Sequence, residues 1–120
     1  MAFEATEKEK VLEGLMAARR QGQLAELSLR FKDKTEEAEK IWESTARLST
    51  EIDIMLGRIM EEWVGRSEPV LKGLSAATAK LETAVGGIKK DIKTAQNVVK
   101  VVGLLDDAVA IAKKAFLAMA

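Results

Sequence analysis

The chain has 120 residues and a mass of 13.1 kDa, with 19 basic and 19 acidic side chains and no net charge. It contains no Cys and no His, which removes disulfides, thiolate nucleophiles, Cys-ligated metals, the usual general base and the commonest transition-metal ligand. With 48% hydrophobic and 32% charged residues, the composition is that of one folded domain spanning residues 1–120.

In chain order, Met1-Ala2-Phe3-Glu4 lacks the basic and then apolar run of a secretory signal. Val11, Leu12, Leu15 and Met16 recur at helical spacing and predict a short helix over about 4–19. The polar, Gly-containing stretch Arg19-Arg20-Gln21-Gly22-Gln23 reads as a break that folds this helix back.

From there a long arm is expected over about 24–64. Its apolar stripe alternates steps of four and three: Leu24, Leu27, Phe31, Lys34, Ala38, Ile41, Thr45, Leu48, Ile52, Met55 and Ile59. Such a heptad-like seam lets one helix bury a narrow stripe against another. The seam ends at Gly65-Arg66-Ser67-Glu68-Pro69. Gly65 suits the left-handed position past a helix end, Ser67 an N-cap, and Pro69 a first turn.

A second arm follows over about 68–118, with the stripe Leu74, Thr78, Leu81, Val85, Ile88, Ile92, Ala95, Val99 and Val102. Gly103 is a candidate break, because Asp106 suits the cap of a separate last helix. Reflection about a centre between Arg66 and Ser67 sets Ile52 against Leu81, Leu48 against Val85 and Ala38 against Ala95. Charge agrees with this register. Residues 1–69 hold 11 basic and 15 acidic side chains, residues 70–120 hold 8 and 4, and the reflection brings Glu43 near Lys89 and Glu39 near Lys93. The expected fold is therefore all-α: a long antiparallel helical hairpin with a short N-terminal helix, assembling into a helical bundle.

Trp63-Val64-Gly65, at the end of the first arm, resembles the Trp-X-Gly signature of a family of small bacterial secretion substrates. The resemblance implies a helical hairpin, usually dimeric, that leaves the cell without a cleaved signal, with Trp63 and Gly65 in the connection and on an export-recognition surface. The family's C-terminal Tyr element has no counterpart, since the chain has no Tyr.

Chemistry-bearing patterns are scarce. Lys89, Lys93 and Lys100 share a helical face beside Lys90, but no Arg follows Arg66 and aromatic residues make up 4% of the chain. The face reads as solvated and partly paired, with no nucleic-acid partner. Asp106-Asp107 and Glu61-Glu62 are sequence neighbours, so their side chains diverge by about 100° on a helix and share no site. No phosphate-binding loop or nucleophile elbow occurs, and no catalytic residue, metal or cofactor is expected.

Beyond the seam, Val98, Val102, Leu105, Val109, Ala112, Phe116 and Met119 form a second stripe. An apolar surface that wide needs more than one partner helix. The sequence therefore points to a non-catalytic interaction module that self-associates, most simply as a dimer, through Leu24, Leu27, Phe31, Leu105, Val109 and Phe116, with a different protein as the alternative occupant. Lys113-Lys114 beside Phe116-Leu117 suggests a membrane-surface contact as a lesser reading. The longest uncharged run, Gly73 to Ala79, is far short of the ~18 apolar residues of a membrane span, and a cytoplasmic location is expected, with signal-less secretion as the alternative.

Overall fold

The computed structural model describes residues 5–57 and 67–114. Four helices account for nearly all of them: α1 (Ala5–Phe31), α2 (Thr35–Gly57), α3 (Ser67–Lys89) and α4 (Thr94–Lys114). α1 packs on α2 and α3, α4 packs on α3 and α2, and α1 meets α4 more lightly across the diagonal. The result is a four-helix bundle closed within one chain, 46 × 22 × 21 Å. α1 runs parallel to α3: Gly14 lies against Leu74, and Lys32 reaches the carbonyl of Lys89. α2 runs parallel to α4, as Arg47 pairs with Asp106 and Glu51 with Lys113. Both tight turns, 32–34 and 90–93, consequently lie at one end of the bundle.

The helices form because each carries one apolar stripe, and the four stripes meet in a single core. α1 contributes Val11, Leu15, Ala18, Ala25 and Leu29, and α2 contributes Ala38, Ile41, Leu48, Ile52 and Met55. Leu74, Leu81, Val85 and Ile88 come from α3, and Val98, Val101, Leu105, Ala108 and Ala112 from α4. Each fully buried Leu or Ile contributes about 1.5–3 kcal/mol relative to exposure.

The helical bundle expected from the sequence is present, but the chain reaches it differently. In place of one long hairpin there are two shorter ones, α1–α2 and α3–α4, and α2 and α3 stand at opposite corners. Of the reflected pairs, Ile52 with Leu81 and Leu48 with Val85 share a core without facing each other, while Ala95 is exposed. Among the described residues Arg47 pairs with Asp106, Glu51 with Lys113 and Lys32 with Asp91. The expected break at Arg19–Gln23 does not occur. Gly22 is buried in mid-helix, where a Cβ would lie 2.4 Å from Thr45 Oγ1 and 3.1 Å from a Leu105 methyl. Its small size permits close approach of α1 to α2 and α4. Nor does Gly103 interrupt α4. Of the expected turn at 65–69, Gly65 and Arg66 lie outside the described residues, while Ser67 is the first residue of α3 and Pro69 stands exposed in its first turn.

The turns actually used end on aspartate. Asp33 has φ 59° and Asp91 φ 60°, the left-handed conformation that Asp tolerates better than most residues. At the first, the amide of Asp33 donates to Arg30 O at 3.1 Å and that of Lys34 to Leu29 O at 2.9 Å. At the second, Asp91 donates to Ile88 O at 3.1 Å and Ile92 to Gly87 O at 2.8 Å. Both are Schellman-type caps, which satisfy carbonyls that the helix end leaves unpaired. The next helix starts at once, as Ala38 and Asn97 donate to the carbonyls of Lys34 and Lys93. Glu36 and Glu37 in the first turn of α2 complement its dipole.

Candidate interaction surface

The six residues expected to form one interface are divided by the fold. Leu105 is fully buried in the core, and Leu24 and Val109 are partly buried against it. Leu27 and Phe31, one turn apart on α1, are 50% and 80% exposed. Phe116, Trp63 and Gly65 lie outside the described residues. Leu105 is thus unavailable to a partner unless the bundle opens. The apolar surface too wide for two helices is covered by the chain's own four, which leaves Leu27 and Phe31 as the part of the expected face that is free to meet something else.

Other large apolar side chains are exposed as well. Trp42, Ile92 and Val99 are 53%, 53% and 72% exposed, and all three lie toward the turn end. Ile54 and Leu56, near the far end of α2, complete the set among the described residues.

At the turn end the two hairpins are fastened together. Lys32, just after α1, donates from Nζ to the carbonyl of Ile88 and, at 3.2 Å, to that of Lys89, both in the last turn of α3. These carbonyls sit at the negative end of the helix dipole, where a cation is favourable. The same ammonium lies 3.9 Å from Asp91 Oδ1. Thr94 donates its hydroxyl to Asp91 Oδ1 at 2.8 Å, and Asn97 Nδ2 donates to Ile92 O at 2.8 Å. The Asp91 carboxyl is held below the usual carboxylate range, first by the Thr94 hydroxyl and then by the charges of Lys32 and Lys34. Lys34 thereby acts across the same gap between the hairpins.

A groove of about 640 Å³ runs between α3 and α4, lined by Ala79, Lys80, Thr83, Ala84, Gly103 and Leu104 among others. Small residues open it; Thr83 donates to Ala79 O at 3.2 Å, Asn97 serves the turn as above, and Lys80, Lys100 and Asp107 also line it. Among the described residues no three carboxylates gather closely enough to hold a metal ion, and no helix is long and apolar enough to cross a membrane.

Comparison of the chain with protein families, with curated proteins and with solved structures returns no match. The turn-end residues were missed by sequence reasoning, though a signal exists. Lys32-Asp33-Lys34-Thr35 and Lys90-Asp91-Ile92-Lys93-Thr94 are near repeats, each with a left-handed Asp before a helix-opening Thr.

Proposed function

We propose that this protein is a non-catalytic interaction module, a rigid bundle that works through its outer surface. The observation that supports this reading is the set of large apolar side chains left in solvent on a bundle whose core is already complete, led by Phe31 at 80% exposure. Phe, Trp and Ile in such positions gain from contact with another surface.

Self-association is the simplest form of that contact, favoured by the exposure of Leu27 and Phe31 on one face of α1. Light-scattering chromatography over a wide concentration range tests it. A mass that rises from 13.1 kDa toward twice that value with concentration, and that stays low in Leu27→Ser/Phe31→Ser, is the expected result. A concentration-independent 13.1 kDa overturns self-association and leaves a different partner for the same side chains.

A further inference from the structure

We infer that the turn end of the bundle docks on the surface of an anionic lipid bilayer, end-on, with Phe31 and Ile92 entering the headgroup region. The inference rests on the interaction-module reading and names its partner.

The two turns lie side by side, since Lys32 bonds the carbonyls of Ile88 and Lys89. Each offers one large apolar side chain to solvent: Phe31 at the end of α1 and Ile92 between α3 and α4. Around them stand Arg30, Lys32, Lys34, Lys89, Lys90 and Lys93, against Asp33 and Asp91 in the same two turns and Glu36 and Glu37 in the first turn of α2, six cations to four carboxylates. Arg30 is paired with Glu26, and Asp91 is engaged by Lys32 and Thr94. Lys34, Lys89, Lys90 and Lys93 have no carboxylate within ion-pair distance among the described residues, so the end is cationic.

Apolar side chains ringed by lysines match a negatively charged lipid surface, which attracts the cations over a Debye length and accepts the apolar groups at its acyl boundary. Glu36 and Glu37 stand in the first turn of α2 at the same end, and Glu39 and Glu43 continue down that helix, which disfavours side-on binding and sets the long axis away from the membrane plane. A second copy is the poorer occupant of the tip itself, because tip-to-tip contact sets lysine against lysine; the self-association proposed above would be side-on, along the α1 face of Leu27 and Phe31. Nucleic acid is poorer too, since Ile92 offers no stacking face and the one Arg is occupied.

The test is sedimentation of the full chain with phosphatidylcholine vesicles, with and without about one-third phosphatidylserine. Binding to the anionic vesicles alone, lost at high salt, is expected. Phe31→Ser/Ile92→Ser should weaken it by about tenfold or more, as removal of two partly buried apolar groups implies. Lys89→Glu/Lys90→Glu/Lys93→Glu should abolish it, while Leu56→Ser, at the other end, should leave it unchanged; circular dichroism checks that each variant folds. Equal binding to neutral vesicles, loss through Leu56→Ser, or tighter binding to a short DNA duplex at the same salt overturns the inference. If no vesicle sediments the protein but its mass rises with concentration in a Phe31-dependent way, the lipid partner falls and the module reading stands. If neither occurs, the lipid partner and self-association both fall.

Discussion

The same substitution at two glycines should change stability in opposite directions. Gly22 in α1 and Gly103 in α4 are both interior to long helices, where Ala is intrinsically favoured by about 1 kcal/mol. At Gly103 a Cβ would meet nothing within 4 Å, so Gly103→Ala should realise that gain almost in full. At Gly22 the Cβ would lie 2.4 Å from Thr45 Oγ1 and 3.1 and 3.3 Å from the Leu105 methyls. Thr45 is 5% exposed, and its hydroxyl donates to Ile41 O at 2.8 Å. As a β-branched side chain it has few χ1 alternatives in a helix. Displacing it strands the hydroxyl or pushes α2 outward, an overpacking cost of about 1–3 kcal/mol. After the propensity gain, Gly22→Ala should lose about 1 kcal/mol, some 2 kcal/mol below Gly103→Ala.

Urea unfolding followed by circular dichroism reads both values, provided the m-value is unchanged. A cycle with Thr45→Ala identifies the cause, because removing Oγ1 removes the nearest obstacle. Coupling of about 1 kcal/mol is expected between residues in such contact. If Gly22→Ala stabilises as much as Gly103→Ala, Gly22 is an ordinary helix position and the close-approach argument is wrong. If it destabilises without coupling to Thr45, the Leu105 contact is the limiting one.

Leu105→Ala should cost about 2–5 kcal/mol of unfolding free energy, as for a fully buried leucine. Leu27→Ala should stay within about 0.5 kcal/mol, and equal losses in urea melts would mean that Leu27 is covered in solution. Asp33→Gly should raise stability by up to about 1 kcal/mol, because glycine adopts φ 59° without strain. Asp91→Gly should gain less, since it also gives up the Thr94 and Lys32 contacts, and the reverse order in thermal melts would refute this reading of the caps. The depressed Asp91 pKa has a definite sign: its stabilisation is complete above the unfolded value near 3.9 and disappears as pH falls through the lower folded value. Asp91→Asn should therefore flatten the acid limb of the stability profile below about pH 4, and an unchanged limb would place the titrating group elsewhere.

How far the fold could be read from the sequence depended on where helices were continuous. Within α2 the seam Ala38, Ile41, Thr45, Leu48, Ile52, Met55 is buried throughout, and in α3 Leu74, Leu81, Val85 and Ile88 are buried as expected. Extended across the turns, the same seams lost phase. The line from Ala38 back through Lys34 to Phe31, Leu27 and Leu24 crosses the break at 32–34, whereas α1 buries Val11, Leu15, Ala18, Ala25 and Leu29. The line from Ile88 on to Ile92 and Val99 crosses 90–93, whereas α4 buries Val98, Val101, Leu105 and Ala108. A heptad count assumes an unbroken helix, and one left-handed residue resets it. Both breaks are hidden because they rest on Asp33 and on Asp91 with Lys93, all at positive φ, rather than on the Gly and Pro that usually punctuate helices. Gly22 misled in the opposite direction, a contact glycine with the appearance of a breaker.

The phase error bears directly on function. Read on the long-hairpin register, Phe31 and Ile92 are seam residues whose burial needs no other molecule. Read on the true register, both fall at helix ends where the four-helix core cannot reach them, and Lys32 ties the two turns carrying them into one surface. The apolar excess that first suggested a dimer splits accordingly. Most of it, Leu105 included, is satisfied inside the chain, and a dimer no longer follows from its width. What is left over at the turn end is small and apolar, and it is surrounded by lysines. Phe31 and Ile92 are too few to hold a stable protein interface by themselves, whereas the proposed docking on a charged surface would add the four lysines at their rim, each cation near a membrane contributing about 1 kcal/mol at physiological salt. On that proposal electrostatics would supply the larger part of the attraction, which is why loss of binding at high salt is the outcome on which the assignment of this end depends.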